Sequence, residues 1–305
     1  NFSDTVSEFD TLSVVINETG KAATAVNSTE ASDISMFSEG AGTITDPFKI
    51  KDVTTLAQLA RRVNNGWGFK GMHFILDTDL DLSGWDSGDH CGWKPIGFFA
   101  LPNRPFKGVF DGNQKIISGL TINRPEESGL GLFGCTEYAE IKNLGLFNVN
   151  IKGDDYLGGL AGRASRDTIS NCYVTGQVEG LGCIGGLTGL TTGYINNSYA
   201  KVDVNGTDEV GGLAGVVAGP YIPAGRSLYG FVNYSFATGK VSGTNNFVGG
   251  LVGSADNGSI TNSMAANLSI NGEGDFFNRF IGGGYAKVFN NYMNAEMLVN
   301  GSIVN

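Results

Sequence analysis

The sequence predicts an all-β protein: a right-handed parallel β-helix with three short strands per coil and a short capping α-helix near the N terminus. Three observations predict this fold. A glycine phrase recurs from Gly158 to Gly185, Gly211 and Gly249 in steps of 27, 26 and 38 residues. A short alternating segment follows each phrase, and no repeat shows helical periodicity. A period of this size indicates a solenoid whose units bury their apolar faces against their neighbours.

The glycine phrase reads Gly-Gly-Leu-x-Gly, with an earlier variant at 130–134 and a degenerate form at 282–284. Glycine permits the positive φ angles that sharp corners require. The longest step returns to 26 residues when residues 219–230 are removed, so that segment is predicted to be an insertion in a connecting loop. The recurring residues are Gly158, Gly159, Leu160, Gly162, Gly185, Gly186, Leu187, Gly189, Gly211, Gly212, Leu213, Gly215, Gly249, Gly250, Leu251 and Gly253.

The alternating segment reads aliphatic-x-Asn-Ser/Cys-aromatic in most repeats, and a period of two predicts a strand. Stacked in register, its first position would form an aliphatic row inside the coil: Ile169, Ile195, Val232, Ile260 and Val288. A further strand is predicted where an aliphatic residue precedes a glycine, at Val178, Val204, Val241 and Ile270.

An asparagine column accompanies the aliphatic row, at Asn143, Asn171, Asn197, Asn262 and Asn290. Stacked amides can hydrogen-bond along the axis, as in Asn ladders. Tyr234 occupies the same position in the repeat that carries the insertion, so the ladder is predicted to break there. Cys172 stands in a column otherwise held by Ser198, Ser235 and Ser263, which favours a small buried side chain.

The chain divides into an N-terminal extension or tether at 1–46, partly strand-like, and a β-helix domain at 47–305. Within that domain, Asp52 offers an N-cap and apolar residues recur at helical spacing as far as Asn65. We therefore predict a helix over 52–65 that covers the open end of the solenoid. Irregular first coils should occupy 67–130, with a long aromatic loop between Ser83 and Arg104, and regular coils 131–305.

The composition excludes some classes of function. A formal charge of −10 and a pI near 4.7 argue against nucleic acid or an anionic membrane as partner. No apolar run is long enough to span a bilayer, so any lipid or wall anchor would lie outside this chain. The four cysteines have no metal-type spacing, and bridges between Cys172 and Cys183 or Cys91 and Cys135 stay open.

The phrase Gly-Gly-Leu-x-Gly followed by Ile-x-Asn-Ser/Cys-Tyr resembles the GLUG-motif repeats of bacterial surface proteins. The lead-in, which includes residues 93–97 and 106–112, is similar to the segments that precede such arrays. The resemblance covers about 46–305 and implies an extracellular adhesin, often lipid- or wall-anchored. Related arrays precede the metalloprotease domain of some immunoglobulin A peptidases, but this sequence contains no His-Glu-x-x-His.

Candidate chemical sites are few. With His73 and His90 as the only histidines, general bases are scarce, and the neighbouring His90 and Cys91 lack an orienting third group. Asp77, Asp79 and Asp81 alternate, so on one strand their carboxylates would share a face and could bind Ca²⁺. The other interpretation is a solvated edge, because calcium needs six to eight oxygen ligands. No cofactor is otherwise expected.

Binding is predicted on loops. The insertion carries Tyr221, Arg226 and Tyr229, residue types favoured at recognition hot spots, and Trp85 and Trp93 form a second candidate. Their rings could instead fold over the solenoid flank. The sequence thus predicts a non-catalytic, cell-surface or secreted bacterial adhesin that binds a host or environmental glycan or surface protein. The alternative is a polysaccharide lyase or glycosidase on the same scaffold.

Overall fold

A computed structural model describes residues 39–219 and 230–303, together with Phe37 and two short paired strands, Leu12–Ser13 and Val26–Asn27. It confirms the parallel β-helix. The longest ladder, ladder 1, stacks nine parallel strands, one from each turn. These strands are Phe48–Ile50, His73–Leu76, Val109–Ser118, Glu140–Lys152, Thr168–Ser170, Tyr194–Asn196, Phe231–Asn233, Ser259–Thr261 and Lys287–Phe289.

Ladder 2 continues round a corner from ladder 1, because the two long strands at 109–118 and 140–152 contribute to both. Its other strands are Leu80–Asp81, Thr121–Asn123, Tyr173–Glu179, Tyr199–Gly206, Phe236–Thr238, Lys240–Gly243, Met264–Ala265, Ser269–Gly272, Tyr292–Met293 and Leu298–Val299. The last of these pairs antiparallel with Ser302–Ile303.

Two further ladders complete each regular turn. Ladder 3 stacks Leu157–Gly158, Gly182–Gly185, Asp208–Gly211, Val248–Gly249 and Phe277–Asn278. Ladder 4 stacks Phe133–Glu137, Ala161–Ser165, Thr188–Thr191, Ala214–Ala218, Val252–Asp256 and Ile281–Gly283. A regular turn therefore holds four strand segments where the sequence predicted three.

The extra segment arises because, from Asn171 onward, the asparagine column lies between strands, whereas Asn143 lies within the long strand Glu140–Lys152. Asn143, Asn171, Asn197, Asn262 and Asn290 all adopt the left-handed conformation, with φ between 50° and 55° for four of them and 49° for Asn197. Asparagine tolerates this region better than most residues. From residue 168 onward, the predicted strand therefore ends before the residue of this column, where the chain turns the corner between ladders 1 and 2.

This corner carries two hydrogen-bonded columns. The amide of Asn171 donates to Asn143 at 3.0 Å, and Asn290 donates to Asn262 at 2.7 Å, which confirms the predicted ladder. Just inside it, backbone N–H groups donate to serine hydroxyls of the next turn, including Cys172 to Ser198 at 3.1 Å. Tyr234 interrupts the outer column as predicted, and Asn233 accepts from Asn262 in its place at 3.0 Å.

The glycine phrase forms the corner between ladders 3 and 4. A Cβ on Gly186 would lie 2.4 Å from the carbonyl oxygen of Gly212 in the next turn, closer than any side chain tolerates. The leucine of each phrase is fully buried, and the aliphatic row of ladder 1 is in register and buried from Ile141 to Ile260. Val288, in the last turn, is 56% exposed.

The predicted helix is present as α1, Val53–Asn64, between the first two strands of ladder 1. The carboxylate of Asp52 accepts from the N–H of Thr55 at 2.7 Å, and Asn65 is the C-cap. Its apolar face packs into the core of the first turns, with Leu56, Leu59, Ala60 and Val63 buried. That the helix covers the open end of the solenoid stays a prediction.

The insertion interrupts no ladder. Ala214 pairs with Thr188 before it and Phe231 pairs with Tyr194 after it, as though the intervening residues were absent. All four cysteines, Cys91, Cys135, Cys172 and Cys183, are free thiols in this structure. Burial raises the pKa of the Cys135 and Cys172 thiols to about 12, so both are held in the neutral, unreactive form.

Candidate binding surfaces

The aromatic loop, residues 83–104, folds against α1 and leaves a cleft of about 340 Å³ between them. The helix supplies Ala57, Ala60 and Arg61 to one wall, and the loop supplies Trp85, Trp93 and Lys94 to the other. The two indole rings lie 6.5 Å apart and are inclined by 51°. Sequence analysis named both tryptophans, and the structure brings them together in one cleft.

The two tryptophans have different environments. Trp93 is 1% exposed and its indole N–H donates to the carbonyl of Leu132 at 3.2 Å, so this ring forms the fixed floor of the cleft. Trp85 is half-buried. Its indole nitrogen is buried without a hydrogen-bond partner among the described residues. Of the two, Trp85 is therefore the ring that a ligand can reach.

Polar contacts hold the aromatic loop in shape. The carboxylate of Asp86 accepts from the N–H groups of Gly88 and His90, at 3.1 and 2.9 Å. The buried guanidinium of Arg124 donates to Asp89 at 2.6 Å, which ties the loop to the solenoid. Burial is the largest influence on the pKa of Asp89 and raises it, but the hydrogen bonds from Arg124 and the Cys91 N–H, together with the charge of Arg124, outweigh burial and lower the net pKa. The loop is thus pre-organised.

The three aspartates proposed for calcium do not share one strand. The strand His73–Leu76 stops before Asp77, and the next begins at Leu80. Asp79 accepts from the N–H of Ile116 at 2.8 Å, and Asp81 accepts from the N–H of Ser83 at 2.9 Å. Among the residues that the structure describes, no group of three or more His, Cys, Asp or Glu side chains could hold a metal. Calcium binding here stays a prediction.

Tyr221, Arg226 and Tyr229 lie outside the described residues. Their loop leaves the solenoid at the corner between ladders 4 and 1. In earlier turns, the same corner carries an exposed arginine, Arg166, and an exposed tyrosine, Tyr138. The guanidinium of Arg166 lies 5.3 Å from the ring centre of Tyr138 and donates to its hydroxyl at 2.7 Å. Beneath them, Asp167 is buried and accepts from Thr136 and from the N–H of Ala139.

The sequence-level candidates for catalysis are not brought together. His90 is exposed and its Nδ1 lies 2.9 Å from Asp86, whereas the thiol of Cys91 donates to the carbonyl of Asp89 at 3.4 Å. Each side chain is therefore directed at a different partner. Asp167 is the most perturbed carboxyl described: burial raises its pKa to about 7.

Sequence analysis missed the stacked aromatic rings beside the asparagine corner. Tyr173, Tyr199 and Phe236 stack at 5.2 and 4.8 Å, and Tyr194 stacks on Phe231 at 5.0 Å. The signal was available in the columns, because these residues occupy matching positions of successive repeats. It required the register between turns to be known.

Comparisons with known proteins agree with the fold. The family model of the GLUG motif matches residues 153–179 and 244–271. The chain is 32% identical over 163 residues to Halomucin of Haloquadratum walsbyi, which covers 50% of this chain and 2% of Halomucin. It is 36% identical over 115 residues to a protein of Evansella cellulosilytica described as a Gly-rich membrane protein, covering 37% of this chain and 12% of that protein. The chain thus spans a small part of either relative.

A crystal structure described as an immunoglobulin A1 protease from Bacteroides ovatus has a similar fold. It superposes with a TM-score of 0.63 and 21% identity, over 87% of this chain and 81% of that one. At this identity the similarity shows the shared architecture. Within the described residues, no helix is long and apolar enough to cross a membrane. The chain thus contains two repeats that match the GLUG motif, and the turns between them continue in the same register within one parallel β-helix.

Proposed function

We propose that this chain is a non-catalytic binding module of a cell-surface or secreted protein, which holds a glycan or a surface protein against a rigid solenoid. The observation that carries the proposal is the cleft between α1 and the aromatic loop. It combines an accessible indole at Trp85, a buried indole floor at Trp93 and a rim that includes Arg61 and Lys94. Concave sites with apolar walls and a few placed polar groups are typical of ligand binding.

The relatives support a location at the surface. Halomucin and the Gly-rich membrane protein are surface-type proteins, and each contains a stretch similar to this chain. A rigid β-helix suits display, because each turn rests on the one before it and loops can project without disturbing the ladders. The register on both sides of residues 219–230 provides an example.

The test is a panel of glycans and extracellular-matrix proteins, applied to the purified chain with calcium and with chelator. Trp85→Ala should weaken binding of the ligand found by at least about tenfold, which corresponds to about 1.4 kcal/mol. Tyr285→Ala is the matched control, because Tyr285 is 88% exposed in the last turns, away from the cleft. Equal binding by both variants would remove the cleft from the proposal.

A second variant tests the insertion. Replacing Tyr221, Arg226 and Tyr229 together by alanine should weaken binding if the inserted loop contributes, with no loss of thermal stability. Loss of binding upon chelation would support the role of Asp77, Asp79 and Asp81. The same glycans should be assayed for reducing-sugar or unsaturated products, since product release would replace the binding proposal with the lyase or glycosidase alternative.

A further inference from the structure

The corner between ladders 1 and 2 lacks charge over four successive turns. Residues 168–173, 194–199, 231–236 and 259–264 include no Asp, Glu, Lys or Arg. With 16% charged residues in the chain, 24 such positions would hold about four (24 × 0.16). The stretch is bounded by the Lys142–Glu140 ion pair in the turn before it and by Lys287 in the turn after it. We call these four segments the uncharged face.

Aromatic rings concentrate in the middle of the uncharged face. Tyr194 and Phe231 stack nearly parallel on the ladder 1 side of the corner, inclined by 1°. Tyr199 and Phe236 stack on the ladder 2 side, inclined by 5°. Tyr234 stands between the two stacks and is 61% exposed. Five rings from two adjacent turns thus surround one corner.

Tyr234 has a structural cost. It holds a φ of 48° in a column whose other members named above are asparagines. A bulky residue in this backbone region is disfavoured, and tyrosine cannot continue the amide ladder. Among the described residues, the side-chain amide oxygen of Asn197 consequently accepts no hydrogen bond from a side-chain amide of the next turn. Tyr138 also combines a positive φ with exposure, so it is the position of Tyr234 between two aromatic stacks that points to a ligand contact.

Amide and hydroxyl groups frame these rings. The amide of Asn233 donates to Asn196 at 3.3 Å, and Asn196 and Asn197 are both exposed. At one end, an open cavity of about 300 Å³ continues the face and is lined by Gln114, Asn143, Leu144, Gly145, Asn171 and Tyr173. Its polar side chains are also amides, apart from the Tyr173 hydroxyl. The face therefore offers exposed aromatic rings and neutral hydrogen-bonding groups together.

We propose that the uncharged face binds a neutral oligosaccharide lying along the solenoid axis, with Tyr234 as its central contact. The C–H faces of a neutral sugar ring pack on aromatic rings, and its hydroxyls pair with amides. Equivalent groups recur about every 4.8 Å along the axis, which suits a chain of repeated units. The absence of charged side chains favours a neutral sugar over a uronate or a phosphate. This inference rests on the proposed binding function but uses a face separate from the cleft.

The experiment compares two tyrosine substitutions in the full chain. Tyr234→Asn removes the ring and restores asparagine to its column, so we expect at least tenfold weaker binding and a melting temperature that is equal or higher. Tyr138→Asn is the matched control: Tyr138 is 60% exposed and has a φ of 53°, but it lies at the corner between ladders 4 and 1. We expect it to bind like the unmodified chain.

The probes are neutral hexasaccharides with glucose, mannose, xylose or N-acetylglucosamine units, measured by calorimetry beside a hexauronate. Binding of at least one neutral probe, lost in Tyr234→Asn and kept in Tyr138→Asn and Trp85→Ala, supports the inference. Binding that survives Tyr234→Asn but is lost in Trp85→Ala overturns it and leaves the cleft as the proposed site. An absence of binding to every neutral probe overturns it as well, whatever the cleft binds.

Discussion

The first turns and the regular turns of this solenoid are held together differently. Around Phe74, rings of Phe37, Phe48, Phe69 and Phe106 pack at 5.1–5.9 Å in tilted and edge-on arrangements. In the regular turns, residues of the same or a similar type occupy most columns, and each contacts its counterparts in the turns above and below. The first region thus depends on a few irreplaceable contacts, whereas the second distributes its stability over many equivalent ones.

The sharpest test of this difference is a core substitution in each region. Phe74→Ala should lower the free energy of unfolding by about 3–5 kcal/mol, because a ring surrounded by four others leaves a cavity that the neighbours cannot fill. Ile195→Val, in the buried aliphatic row, should cost about 0.5–1.5 kcal/mol. Urea unfolding measures both. Similar losses for the two would contradict the comparison.

The pH dependence of stability should come from the regular turns, through Asp167. Its pKa is raised from 3.8 to about 7 by burial, so the folded chain keeps this proton after the unfolded chain has lost it. Its contribution is complete below pH 4 and is lost as the pH rises to 7, with a slope approaching about −1.4 kcal/mol per pH unit. Thermal melts from pH 4 to 8 should show this decline relative to Asp167→Asn. Parallel curves for the two proteins would exclude it.

The smallest effect concerns a single rung of the asparagine ladder. Asn171→Ala removes its bond to Asn143 and the bond that it accepts from Asn197, and it places alanine at a φ of 54°. We expect a loss of about 1–2 kcal/mol. Ser170→Ala, beside it but within the strand, should change stability by less than about 0.5 kcal/mol. A larger loss at Ser170 would show that the corner is not the stabilising element.

The sequence predicts a structural feature well where the role of a residue follows from its type and from its spacing along the chain. The asparagine and serine columns, the break at Tyr234 and the helix capped by Asp52 all follow from residue type and spacing. The split of each predicted strand at its asparagine could not be predicted, because the alternating pattern continues through a residue with positive φ. Only the register between turns reveals that the chain bends there.

The candidate sites were predicted less completely, because they depend on contacts between distant segments. The pairing of Trp85 with Trp93 could be suggested from their proximity in the chain, but the wall supplied by α1 could not. Trp93 is of a residue type that is favoured in binding sites, but it is buried like a core residue. Its indole N–H donates to the backbone carbonyl of Leu132. The separate hydrogen bonds of Asp79 and Asp81 likewise depend on residues more than 30 positions away or on a local turn.

The parallel ladders also determine how this rod would respond to force. Hydrogen bonds between turns run along the solenoid axis, so a pull applied at the two ends loads one turn's bonds before those of the next. The hydrogen bonds between two turns would therefore break one pair of turns at a time, and not all together as they do when strands are sheared along their length. Under tension the rod should therefore lengthen in steps of one repeat.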